Sequence, residues 1–144
     1  MLNLLKKQSH NPQELFLSSL KNPLENAPQL LFLLDKKTPE HVSGPSTQVI
    51  DFSEKDLRLL SLPKESLDGI WWENASARYK LEDNQRILAL LFQTLKPKTG
   101  QLALNFTEPP WTVFALESQL KQAGFKISHL LRQKSKVFLL SQRI

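Results

Sequence analysis

The sequence predicts an α/β domain whose mainly parallel sheet closes on an antiparallel hairpin. Three observations predict it. Apolar runs of strand length alternate with amphipathic segments of helical period along much of the chain. The stretch from Pro63 to Phe106 reads as strand, helix and strand. The C-terminus ends in two apolar runs joined by a polar turn. A length of 144 residues suits one domain spanning 1–144, and a hydrophobic content of 40% supplies a core without metal or disulfide staples.

The first element is a short helix over QELFLSSLKN. Asn11 is the capping residue, Pro12 takes the first helical position, and Leu15, Phe16 and Leu20 face the core. Pro23 and Pro28 bracket a connection. Gln29 to Leu34 is a continuous apolar run whose length and lack of alternation suit a strand buried on both faces, although leucine also favours helix. Asp35 to Ser46 reads as loop. Thr47 to Phe52 is a second short strand with β-branched residues, and Ser53 caps a brief helix through Leu60.

The pattern then sharpens. A polar turn opens the apolar strand Ser66 to Trp72. In Glu82 to Leu95, Ile87, Leu88, Leu91, Phe92 and Leu95 repeat at helical spacing, opposite polar Asn84, Gln85, Arg86 and Gln93. Lys96-Pro97-Lys98-Thr99-Gly100 stops that helix, and Gln101 to Phe106 is the next strand. Ser118 to Ala123 lies in a further helix ended by Gly124. Phe125 to Leu131 and Val137 to Leu140 form the hairpin, with Arg132 to Lys136 as its turn.

Composition excludes several chemistries. With no cysteine there are no disulfides, thiolate metal sites, iron–sulfur ligation or cysteine nucleophiles. His10, His41 and His129 lack metal-ligand spacing, so no metal is expected. No serine stands in a nucleophile elbow and no GxxxxGK[ST] run exists, which leaves hydrolase and nucleoside-triphosphatase readings unsupported. The net charge of +5 is spread over pairs at turns rather than gathered in one stripe with stacking aromatics. Solubility charge is therefore favoured over RNA binding. Lysines after a very short apolar stretch are the wrong order for a signal peptide, and Leu30 to Leu34 is too short to cross a bilayer. A cytoplasmic protein with no membrane contact is expected.

Leu62, Pro63, Ser66, Asp68, Gly69 and Ile70, followed by Leu95, Lys96, Pro97 and Gly100 and then by Ala123-Gly124-Phe125, resemble the second half of class I S-adenosylmethionine-dependent methyltransferases. The resemblance runs from about Val49 onward. It implies a Rossmann-like methyltransferase-type sheet, shortened in its N-terminal half. It also marks a departure. In that family the first strand runs into an acid and a GxGxG loop, where glycine lets the backbone turn tightly against the cofactor. Here the strand runs into Asp35-Lys36-Lys37-Thr38-Pro39, and Gly44 is the only glycine before Gly69. Leu30 to Pro39 (LLFLLDKKTP) is similar to the first strand of the N-terminal domain of anamorsin-type proteins, a shortened methyltransferase-like scaffold and binding module. Their cysteine-rich tail is absent here.

If S-adenosylmethionine binds, the resemblance points to Asp35, Asp51 and Phe52 as its contacts. Asp51 is set against the acid near the adenine, with no equivalent for the second-strand acid that holds the ribose. Trp72, Glu73, Asn74, Tyr79 and Trp111 are the candidate substrate or partner surface. Glu73 and Asn74 follow a strand's carboxyl end, where parallel sheets place ligands, although a polar loop reads the same way. Trp71 and Trp72 must face opposite sides, one in the core and one available for stacking. Tyr79 reads equally as a packed ring, and Trp111 as an anchor after two prolines. Asp68 reads as a strand-start residue accepting backbone donors. No catalytic residue emerges. The expected function is a degenerate, non-catalytic domain without cofactor that binds a protein partner, including a second copy of itself. The alternatives are an active S-adenosylmethionine-dependent methyltransferase on a small molecule or protein, and a basic RNA-associated domain.

Overall fold

The computed structural model describes residues 12–20, 29–34, 47–51, 61–73, 75, 81–108 and 112–144. Its elements are α1 (Pro12–Ser19), β1 (Leu30–Leu34), β2 (Thr47–Asp51), β3 (Gly69–Trp72), α2 (Leu81–Thr94), β4 (Gln101–Thr107), α3 (Val113–Ala123), β5 (Phe125–Gln133) and β6 (Lys136–Arg143). Among the described residues, six strands form one sheet in the order β2-β1-β3-β4-β6-β5. The first four are parallel, whereas β6 runs antiparallel to both β4 and β5.

Period-two alternation divides the core in two. Leu31, Leu33, Ile70, Trp72, Leu102, Leu104, Val137 and Leu139 face one side, where Ile87, Leu88 and Leu91 of α2 and Leu116 and Leu120 of α3 cover them. Leu30, Phe32, Trp71, Ala103, Phe138 and Leu140 face the other side with Phe16 of α1. Burial on both faces explains the unbroken apolar runs in β1, β3 and β4. It also makes Leu30–Leu34 a strand despite its leucines, because sheet pairing on both edges outweighs helix propensity.

Most expected elements stand, with shifted ends. The hairpin turn narrows from Arg132–Lys136 to Lys134 and Ser135, because Arg132 pairs with Val137 and Gln133 with Lys136. Helix α3 begins five residues before Ser118, where the Thr112 hydroxyl accepts from the Ala115 amide at 3.1 Å. Gly124, at φ 105°, ends it in the left-handed conformation. The brief helix from Ser53 lies outside the described residues.

Candidate functional site: the carboxyl edge of the sheet

Glu73 leaves β3 at its carboxyl end. Its backbone amide donates to Leu33 of β1 at 2.9 Å, and the Ala75 amide donates to the Asn105 carbonyl at 2.8 Å, so the segment after β3 is tied to both neighbouring strands. One carboxylate oxygen, Oε1, accepts from the Trp71 indole at 2.8 Å and from the Asn105 side-chain amide at 3.3 Å. An acceptor-only carboxylate fixes the Asn105 amide with its NH2 towards Glu73.

Trp71 and Asn105 wall a cavity of about 240 Å³ on the α1 side of the sheet. Phe138 and Leu131 complete its apolar surface, and Pro12, Gln13, Gln133 and Lys136 bound it. The Trp71 ring lies 5.7 Å from Phe138 at 33° and 5.6 Å from Phe16 at 58°, so aromatic neighbours on two sides hold the indole.

Beside this cavity, Glu108 joins the end of β4 to the hairpin. Its amide donates to the Ser135 carbonyl at 2.8 Å. Its carboxylate accepts from the Val113 amide at 2.7 Å and from the Arg132 guanidinium. The hydrogen bond from Arg132, then that from Val113, holds the Glu108 carboxyl below the ordinary carboxylate value.

Glu73 is thus at the carboxyl edge, as its position after β3 implies. Trp72 is a correction. Its side chain is completely buried beneath α2 and α3, so it offers no substrate or partner surface. Alternation gave the two tryptophans opposite faces, and both faces are covered. Trp71, at 8% exposure, is the one that meets the cavity. Asp35, Phe52, Asn74, Tyr79 and Trp111 lie outside the described residues.

Asp51 ends β2, level with Leu34 in the parallel register. Because β2 pairs directly with β1, Asp51 closes the strand beside the first strand. Sequence reasoning missed Asn105, Phe138, Gln133 and Lys136 as cavity residues, since they line one cavity with Trp71 only once the strands are paired. Asn105 did leave a signal, as the lone polar side chain between apolar neighbours in QLALNF. Among the described residues no group of three His, Asp or Glu side chains is placed to hold a metal. No described helix is long and apolar enough to cross a membrane.

The sheet order and two-sided helical cover define the class: this is a Rossmann-like, methyltransferase-type α/β fold in shortened form. No family model and no curated protein matches the sequence. Solved structures do. A possible exported protein from Bordetella parapertussis superposes with a TM-score of 0.64 at 12% identity over 96% of this chain and 67% of its own. An S-adenosylmethionine-dependent methyltransferase from Archaeoglobus fulgidus gives 0.55 at 14% identity, covering 67% of each chain. The magnesium protoporphyrin IX methyltransferase of Synechocystis, solved with S-adenosylmethionine bound, gives 0.51 at 16% identity over 70% of this chain and 48% of its own. The chain therefore spans about half the length of that enzyme. At these identities the likeness is one of fold.

Proposed function

We propose that this chain is a degenerate methyltransferase-like domain that acts without S-adenosylmethionine, as a non-catalytic protein-interaction module. The observation that carries the reading is the connection between β1 and β2. Twelve residues separate Leu34 from Thr47. A helix returning along a five-residue strand of about 16 Å already takes about eleven residues at 1.5 Å each. No length is left for a glycine turn as well. The sequence agrees, because Asp35-Lys36-Lys37-Thr38-Pro39 follows β1. Pro39 fixes its φ, and two lysines oppose a cationic sulfonium. On this reading Asp35-Lys36-Lys37-Thr38-Pro39 gives the cofactor no glycine cradle and does not fit it. The similarity of LLFLLDKKTP to the anamorsin-type domain supports the same reading, with Glu73, Asn74, Tyr79 and Trp111 as the candidate partner surface. A chain without cysteine also suits a cytoplasmic setting.

One observation favours an active methyltransferase instead. Asp51 ends the strand beside β1, where the family's ribose-holding acid belongs. Thermal denaturation with S-adenosylmethionine or S-adenosylhomocysteine separates the two readings. A ligand at a hundredfold excess over its Kd stabilises by about 2.7 kcal/mol, several degrees of Tm. The module reading expects no shift at millimolar ligand. A clear shift that Asp51→Ala abolishes overturns it in favour of the enzyme.

A further inference from the structure

We propose that the cavity at the carboxyl edge binds a small planar aromatic carboxylate. This goes beyond the interaction-module reading and is independent of whether the cofactor binds.

Shape sets the first requirement. Trp71 and Phe138 supply ring surface from neighbouring parts of the sheet, and Leu131 adds an aliphatic side. Such walls select a flat apolar body by stacking and area burial. A volume of about 240 Å³ lies below the range of roughly 300–1,000 Å³ usual for drug-sized ligands. One ring or two fused rings fill it, and a dinucleotide does not.

Charge sets the second. Lys136 is the only formally charged residue in the lining among the described residues. It already makes a contact of its own, and an ammonium with three donors can serve a second acceptor. The amides of Gln13 and Gln133 stand in the same lining, each already with a contact of its own. Glu73, whose carboxylate holds two of the wall residues, is not in the lining. Its Oε1 is directed at the Trp71 and Asn105 donors, which fixes both walls before any ligand arrives. An apolar slot with one cationic edge matches an aromatic ring carrying one carboxylate.

The probes are 2-naphthoate and its neutral analogue 2-naphthamide, followed through the indole N–H resonance of Trp71. Naphthoate is expected to shift that resonance saturably at sub-millimolar to low-millimolar concentration, and naphthamide to bind about tenfold more weakly. Lys136→Gln changes an exposed residue, so the fold is kept. It should cost naphthoate about tenfold and leave naphthamide unchanged. Equal affinity for the two probes, naphthoate binding undiminished in Lys136→Gln, or no Trp71 shift at 5 mM, roughly the weakest affinity of interest, overturns the proposal.

Discussion

The Asp68 carboxylate lies 3.0 Å from the Lys96 ammonium, at the amino edge of the sheet and therefore at the end opposite the cavity. Its other oxygen accepts from the Gln29 amide at 2.7 Å, just before β1. Around this pair the Leu67 amide donates to Thr94 and the Lys96 amide to Leu67, each at 2.9 Å. The two segments that carry the methyltransferase resemblance thus clasp each other, and their role here is to join β1, β3 and the end of α2.

Asp68→Ala should lower stability by about 0.5–1.5 kcal/mol, because the exposed Gln29 amide exchanges its carboxylate acceptor for water. Lys96→Ala should cost under about 0.5 kcal/mol, since that side chain is nearly half exposed and such ion pairs are weak. Denaturant unfolding with unchanged m-values measures both. Equal losses for the two variants would show that the ion pair, not the backbone acceptor, is what matters.

Gly69 opens β3 directly under α1. A Cβ there would lie 2.7 Å from Leu20 Cδ2 and 2.9 Å from Phe16 Cζ. Gly69→Ala should destabilise by roughly 1–3 kcal/mol through overpacking. Leu20→Ala in the same chain should recover part of that loss. An unchanged midpoint in Gly69→Ala would mean that α1 yields freely.

Glu108 gives a pH dependence of defined sign. Its folded carboxyl titrates below the ordinary value of 4.5, so its stabilisation is full above that value and is lost as pH falls through the folded one. The Tm advantage of the native protein over Glu108→Gln should be constant at neutral pH and shrink below pH 4.5. High salt should reduce it as well, because Arg132 is half exposed. An advantage that widens on acidification would refute the assignment.

Much of the fold was legible in the chain because burial writes periodicity. The apolar runs of β1 and β4 announced strands covered on both faces, and the spacing of Ile87, Leu88 and Leu91 announced a helix covering one of them. The hairpin followed from two apolar runs around a polar turn. Element ends were less legible, since cross-strand pairs such as Arg132 with Val137 extend a strand into polar sequence. Of the candidate site, Glu73 was legible from its place after a strand. Asn105, Phe138 and Lys136 were not, because residues on β4 and β6 come to line one cavity with Trp71 only when the sheet is assembled.

The sequence by itself determined the α/β class, the absence of thiol chemistry and the absence of a GxGxG run after the first strand. These depend on composition and local order. Only the tertiary structure decided that both tryptophans are buried, that Trp71 is the one meeting the cavity, and that Asp51 ends the strand next to β1. Alternation says that Trp71 and Trp72 point to opposite sides. What covers each side, and which strand lies beside which, depends on contacts between residues far apart in the chain.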